Sequence, residues 1–533
     1  VIFLKDTLFK VTTIIFVVVV LSKILGFVRE IFIAHLFGAN KFVDAFFISQ
    51  TIPSVLFAAA GASFGTALIP LLSVVLEERG RSEIMAKVNN LLLVYFLVLS
   101  IVTLIGVQLA PYLNMVIAPG FDKETLNLST RLTQVSFPMI IFLGLSYVLT
   151  AILQVLGKFY WSSLTGIAYN LVLIVLLVYF GSDFGVWGLT IFTLSAIAAQ
   201  MIIQIPPLIY LGWKPGLRVN FREPLFKKAL LLCFPIMIGS TIDQINIVVD
   251  RMMASGLEEG SVSALNYASK VFGLFTGLFS SSITVVTYTV FSRYVSEKNY
   301  ESLRTHFYRT VLMVCLLVIP LSAILVILAR PVIEIVFERG SFSHADTLLT
   351  ATAFLFFVIG LIGFCLREIT TRCFYALNDS KTPMVNGILA VVFNIILNLI
   401  LVRWMGIGGL ALSSSLALIL TSILMLYQMK KIIGGSQEFS LSDLMKFFAS
   451  VSLMSVVVYF LFEKSSYLYE SMDIVVKFII IAVLIISGIS LYIFLMYIFK
   501  VQMFRVMVHT VIMKFFNKNG GESDDKKKYS YCD

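Results

Sequence analysis

LQVLGKFYWSSLTGIAYNLVLIVLLVYFG, residues 153–181, returns about 224 residues later as YALNDSKTPMVNGILAVVFNIILNLILVRWMG, residues 375–406. Asn170 aligns with Asn394, and Gly188-Leu189 with Gly409-Leu410 after a short gap. FVDAFFISQTIPSVLF (42–57) aligns more loosely with SVSALNYASKVFGLF (261–275), at an offset near 219. Around these copies the chain reads as apolar segments of at least the ~20 residues that cross a bilayer. Their limits are 11–36, 42–76, 88–110, 131–156, 159–180, 185–211, 227–255, 262–296, 303–329, 347–378, 383–404, 408–430, 443–463 and 473–500. Each repeat holds six of them, and an even number leaves both copies in the same orientation, a parallel repeat about an axis along the membrane normal. The expected fold is all-α and polytopic, with fourteen transmembrane helices: an N-terminal lobe (1–212), a C-terminal lobe (213–432), two further helices (433–500) and a tail (501–533). Two homologous bundles around a central cavity are the architecture of an alternating-access transporter. Several segments exceed the spanning length and should tilt, bend or project. Pro111, Pro331 and Pro383 are expected at helix ends, and Pro53, Pro138 and Pro235 as kinks.

Composition excludes a soluble protein: 59% of residues are hydrophobic, 13% charged, and mean hydropathy is +0.96, against about 25% charged in soluble domains. The formal charge of +10 does not point to nucleic acid, because the basic residues lie in short loops beside apolar segments. Loops after even-numbered segments carry Arg79, Arg81, Lys87, Lys158, Lys214, Arg218, Arg222, Lys227, Lys228, Lys298, Arg304, Lys381, Lys430, Lys431 and Lys446. The opposite loops carry few, so both termini are expected in the cytoplasm. The polar tail from about residue 515, with Lys526, Lys527 and Lys528, reads as solvated and disordered. Cys233, Cys315, Cys365, Cys373 and Cys532 show no metal or redox spacing. The first apolar run continues into a charged stretch rather than a cleavage site, so no cleavable signal is expected.

Eleven ionisable residues interrupt segments 1, 2, 7, 8 and 10: Lys23, Arg29, Glu30, Asp44, Asp243, Asp250, Arg251, Lys270, Arg367, Glu368 and Arg372. A charge at the bilayer centre costs at least ~2.5–3.5 kcal/mol, so it is kept only where it faces protein or water. Clustered in a few helices, such residues describe a wet cavity for a polar, anionic substrate. Lys23 and Arg29 are six residues apart, about 240° of rotation, and share a face only if the helix kinks at Gly26. Arg29–Glu30 reads either as part of a substrate site or as a structural ion pair at a gate. Glu368 and Arg372 are spaced i,i+4 and can pair; Arg372 reads equally as a cavity group with Arg367 and as an anchor at the cytoplasmic interface.

A second constellation consists of oxygen donors. Asp250 lies toward the outer end of segment 7, Asn394 and Asn398 share a face of segment 11, and Ser414 shares one with the Leu410 carbonyl on segment 12. Carboxylate, amide, hydroxyl and backbone oxygens suit a hard cation; interhelical hydrogen bonding by the same groups is the competing reading. No catalytic arrangement is present: no HExxH, GxSxG or phosphate-binding glycine loop occurs, and a membrane glycosyltransferase would need a larger extramembrane loop. No enzyme is expected.

SKILGFVREIFIAHLFGANKFVDAFF (22–47), QINIVVDRMMASGLEEGSVSALNYASKV (244–271), FERGSFSHADT (337–347) and FYALNDSKTPM (374–384) together resemble the MurJ/MviN family. That family belongs to the multidrug/oligosaccharidyl-lipid/polysaccharide exporter superfamily. The resemblance extends over nearly the whole chain, including segments 13 and 14, and drug exporters usually stop at twelve. It implies a flippase that moves an undecaprenyl-diphosphate-linked peptidoglycan precursor, lipid II, to the outer leaflet of the bacterial inner membrane for cell-wall synthesis. By motif position Lys23, Arg29 and Lys270 match the family's diphosphate-binding cations, and Glu30 and Asp44 its acidic partners. It also implies sodium as the ion at Asp250, Asn394, Asn398, Leu410 and Ser414, with Asn398 where an Asp can occur, and a groove for the lipid tail at segments 13 and 14. One departure stands in segment 2: where family members often show an Arg and Gly-Glu-Gly, this chain reads LFAAAGASF from Leu56. A flippase for another polyprenyl-linked oligosaccharide is therefore the competing reading, ahead of a cation-coupled drug exporter. The expected partners are the lipid-linked diphosphate and membrane lipids, with no nucleic acid and a monomeric protein.

Overall fold

The computed structural model describes residues 2–216, 220, 223–435, 441–469, 472–501 and 504, with the side chains at 2–12, 59–60, 235, 238–240, 242–243, 281–286, 441 and 466–468 outside the description. Asp243 as a cavity group, Pro235 as a kink, Arg218, Arg222, Cys532 and the polar tail with Lys526, Lys527 and Lys528 therefore lie outside the described residues.

The described residues form helices and no strand. Fourteen apolar passes are traced by these helices among the described residues. Among the described residues eight helices are long and apolar enough to cross a membrane by length and composition, nine if the broken pair flanking Gly360 is one span. Those beginning at Ile2, Lys41, Pro224 and Ser261 carry the intramembrane charges instead. Two of the apolar helices each run through parts of two passes. Ala62–Ile117 is 56 residues long, far beyond a ~30 Å hydrocarbon core at ~1.5 Å per residue. It is broken by a kink at Gly80, whose φ of 77° is a left-handed conformation that costs a residue without Cβ little. Thr165–Ile202 turns in the same way at Gly185, φ 55°.

Two expectations are corrected. Pro111 does not end a helix: it lies inside Ala62–Ile117. Its missing N–H frees the carbonyl four residues earlier, and Gln134 Nε2 donates to that oxygen, on Val107, at 3.4 Å. A neighbouring helix thus satisfies the group, which is how membrane helices tolerate proline. Segment 10 is not one helix but His344–Ile359 followed by Leu361–Ala376. Gly360 packs directly on Ser415, and the Ser415 hydroxyl donates to Phe356 O at 2.6 Å at the break. Segment 2 also carries a π-helical turn at Phe57–Gly61, within the stretch that departs from the family pattern; such turns mark locally strained or functional sites.

Close contacts group the chain into two compact units whose borders cross those of the sequence repeat. The first comprises 1–277, 329–360 and 381–421 and holds segments 1–7 and most of the ionisable residues. Its interior is close-packed, with Phe64 stacked on Tyr95 at 4.3 Å between centroids. The second comprises 278–328, 361–380 and 422–533. There Leu441–Tyr469 and Ile474–Ile498 pack on each other and on Tyr300–Ile327. The Tyr492 hydroxyl donates to Leu316 O at 3.0 Å, and Gly488 admits Val458 and Ile324.

Candidate functional site

In the first unit, helix Ile2–Phe37 runs without a non-helical residue, so Gly26 is not a kink, and Lys23 and Arg29 leave on different sides. Arg29 turns into the protein. Its Nη1 donates to Asn170 Oδ1 at 2.9 Å, its Nη2 to the adjacent Glu30 carboxylate, and the guanidinium lies 5.0 Å from the Tyr169 ring centre. Asn170 is held in turn by donating to Ser22 O at 3.0 Å. The pair is enclosed, with side chains 14% and 5% exposed. Glu30 also lies in the field of Lys270 and Arg251. Lys270 remains exposed at its helix surface. Lys23 sits elsewhere: its Nζ is 3.2 Å from where a Cβ on Gly277 would stand, two turns beyond Lys270, or about 10 Å along that helix. The structure thus gathers Arg29, Glu30 and Lys270 at one level and puts Lys23 at another.

Asp44, expected beside the cations, makes its hydrogen bonds to a helix terminus. Its carboxylate accepts from Gly260 N at 2.8 Å, Ser263 N at 2.7 Å and Ser263 Oγ at 2.7 Å. These N–H groups open helix Ser261–Ser296 and have no intrahelical partner, so a carboxylate from segment 2 caps segment 8 in trans. The loops around this contact are tightly closed. The Tyr267 hydroxyl donates to Gly38 O at 3.1 Å, Ser341 N to His35 O at 2.8 Å, and Gly120 N to Ser255 Oγ at 3.3 Å. A Cβ at Gly38, Gly120, Gly260 or Gly340 would collide with Ser341 O, Gly256, Ala39 O or His35 respectively. The loops after segments 1, 3, 7 and 9 therefore seal one end of this unit, backbone against backbone.

The oxygen-rich constellation is also in the first unit and does converge. Asn398 Nδ2 donates to Asp250 Oδ1 at 2.7 Å and lies 2.9 Å from the Asn394 side-chain amide. With the Asn394 amide turned to suit its neighbours, its nitrogen faces Asp250 at 3.3 Å and Asn246 at 2.7 Å, while its oxygen accepts from Ser414 Oγ and N. Asn398 Oδ1 is buried without a partner. No cluster of three His, Cys, Asp or Glu exists among the described residues, so a transition-metal site finds no support, whereas one carboxylate with amide and hydroxyl oxygens fits an alkali cation. Leu410 is buried in the first turn of Ile407–Ile433.

In the second unit Arg372 pairs with Glu368 at 3.4 Å, and Glu368 accepts from Ser280 Oγ at 3.4 Å. Arg367 lies half-buried on the same helix.

Three residues near the cations were given no role by motif reasoning. Asn170 positions Arg29, and its place opposite Asn394 in the repeat is the signal that marked it. Arg251 was visible only as a charge in an apolar segment. Asn266, which accepts from Arg251 Nη2 at 3.2 Å, carried no signal.

Long apolar helices around enclosed ion clusters define a carrier-type membrane transporter. A MATE-family multidrug resistance transporter of the MOP superfamily, in an inward-facing conformation, shares this fold at TM-score 0.62 and 15% identity, over 77% of this chain and 94% of that one. The chain belongs to the lipid II flippase MurJ family, whose model matches residues 33–480. A structure of lipid II flippase MurJ in an inward closed conformation superposes at TM-score 0.73 with 25% identity, covering 93% of this chain and 99% of that one. Probable lipid II flippases MurJ from Buchnera aphidicola (subspecies Acyrthosiphon pisum) and Vibrio cholerae are each 30% identical, over 79% and 76% of this chain and 84% and 79% of their own lengths.

Proposed function

We propose that this protein flips lipid II across the bacterial inner membrane, taking the undecaprenyl-diphosphate-linked precursor from the cytoplasmic to the outer leaflet. The observation that carries the reading is the enclosed Arg29–Glu30–Asn170 cluster with Lys270 beside it, in a chain of the lipid II flippase family. A guanidinium held by a neutral amide on one side and a carboxylate on the other is oriented yet exchangeable: an entering diphosphate offers stronger charge-assisted hydrogen bonds than Glu30. Lys270 adds a second charge, and Lys23, about 10 Å along the helix, a way-station toward the cytoplasm. Arg367 and Arg372 are further candidate substrate-binding groups.

The lobes of the repeat, 1–212 and 213–432, rock against each other to give alternating access, with segments 13 and 14 beside the lipid tail. The basic-loop asymmetry supports both termini in the cytoplasm, so the sealed end faces outward. The protein works as a monomer. Sodium is held by Asp250, Asn394, Asn398, Ser414 and the Leu410 carbonyl; the unmet Asn398 oxygen supports it. Bound there, the ion would supply charge compensation for Asp250.

The test is complementation of a strain depleted of its lipid II flippase, with an O-antigen flippase mutant in parallel. Rescue of the first alone is expected. Arg29→Glu should abolish rescue while the protein still inserts; full rescue by Arg29→Ala would show the guanidinium to be structural.

A further inference from the structure

We infer that Arg251 and Asn266 complete the anion cradle with Arg29 and Lys270, so that segment 7 contributes directly to holding the substrate diphosphate. This deepens the lipid II reading and rests on it. Arg251 follows Asp250 on helix Pro224–Ala254, and successive helical residues point about 100° apart. While Asp250 turns to Asn398, Arg251 turns to segments 2 and 8, its guanidinium 5.7 Å from the Phe47 ring centre and its Nη2 on Asn266 Oδ1. Glu30 lies in the field of Arg251 together with those of Arg29 and Lys270, and Arg251 lies in turn in the field of Asp44, Asp250 and Glu30.

The donors here outnumber the acceptors. Arg251 Nη1, Asn266 Nδ2 and Arg29 Nε are each buried without a partner, against a single unmet acceptor, Glu30 Oε2. The other carboxylates are committed: Asp44 to Gly260 and Ser263, Asp250 to Asn398. Unmet buried donors are disfavoured, and an anion with several oxygens around two linked centres removes the deficit at once. Segment 2 supplies no base between Phe42 and Glu78, so the guanidinium facing Phe47 comes from segment 7.

The test uses the full chain in nanodiscs, titrated with geranylgeranyl diphosphate in sodium chloride and again in choline chloride. Arg251→Gln should weaken binding about tenfold in both salts, as loss of a charge-assisted bidentate donor does. Arg251→Lys, which keeps the charge without the fork, should fall between, and so remains informative if the Gln variant fails to fold. Asn266→Leu should weaken binding by a smaller factor. Wild-type affinity in Arg251→Gln with weakened binding in Lys270→Gln would overturn this inference and leave the lipid II reading intact. A loss confined to sodium would place the effect at Asp250 and overturn it too. Absence of diphosphate binding by the unaltered protein would overturn both.

Discussion

Replacing Asp44 by alanine should unlatch the sealed end. The carboxylate accepts three hydrogen bonds, from Gly260 N, Ser263 N and Ser263 Oγ. The Ser263 hydroxyl has a second acceptor in Gly260 O at 3.0 Å, so the net loss falls on two backbone N–H groups at a helix start. A lost N-cap costs about 0.5–2 kcal/mol, and a hydrogen bond to a charged group about 1.5–3 kcal/mol. Together these give a destabilisation of the closed end of about 2–3 kcal/mol, a shift of roughly 30- to 150-fold in favour of the open end. Asp44→Asn keeps one acceptor and should shift it only several-fold. The assay is labelling of Ala264→Cys, fully buried in the first turn of helix Ser261–Ser296, by a membrane-impermeant maleimide, with Cys233, Cys315, Cys365, Cys373 and Cys532 replaced. Labelling should accelerate in the order wild type, Asp44→Asn, Asp44→Ala. Equal rates in all three, with melting temperatures unchanged, would refute the latch.

Gly120→Val should lower complementation at least tenfold, because its side chain would occupy the Gly256 backbone, which cannot move aside as a side chain can; Gly157→Ala, with nothing within 4 Å, should cost only the ~1 kcal/mol of a left-handed residue and leave function intact. Asp250→Asn should remove any sodium dependence of flipping in proteoliposomes while sparing diphosphate binding; persistent dependence would move the ion elsewhere. Asn170→Ala should weaken diphosphate binding several-fold by freeing Arg29, read by the same nanodisc titration. Asp122 caps helix Lys123–Ser136, and the Thr125 hydroxyl bonded to it holds its carboxyl below the usual range. A group whose folded value is depressed stabilises above its unfolded pKa of about 3.9 and loses that contribution as pH falls through the folded value. Acid sensitivity of the loop's protease resistance should therefore shrink in Asp122→Asn.

The passes and their composition were legible because a bilayer imposes length and hydropathy on every spanning helix, and the Asn394–Asn398 face followed from helical periodicity alone. What periodicity does not encode is which turn of one helix meets which turn of another. Lys23 and Arg29 looked alike as deep cations, yet only Arg29 meets Asn170 and Glu30. Asp44 was legible as an anion near bases, whereas its actual bonds go to N–H groups that every sequence possesses at a helix start. Pro111 was misplaced, and segment 10 read as unbroken, for a related reason: whether a proline or glycine ends a helix depends on a distant partner, here Gln134 and Ser415, able to serve the freed or crowded backbone.

The latch between Asp44 and Ser263 joins residues 219 positions apart, the separation of the loose repeat at segments 2 and 8, so the two are counterparts of each other. In a dimer of identical half-length chains, a position that meets its own counterpart must present the same side chain twice. Two aspartates would repel, and two serines would cap weakly. Only once the two copies differ in sequence can one keep a carboxylate while the other keeps a hydroxyl at a helix start. The contact is thus a record of divergence: the chain gained a directional lock that no symmetric ancestor had available. Exchanging the two side chains, by Asp44→Ser together with Ser263→Asp, asks whether the lock needs its polarity or merely its asymmetry.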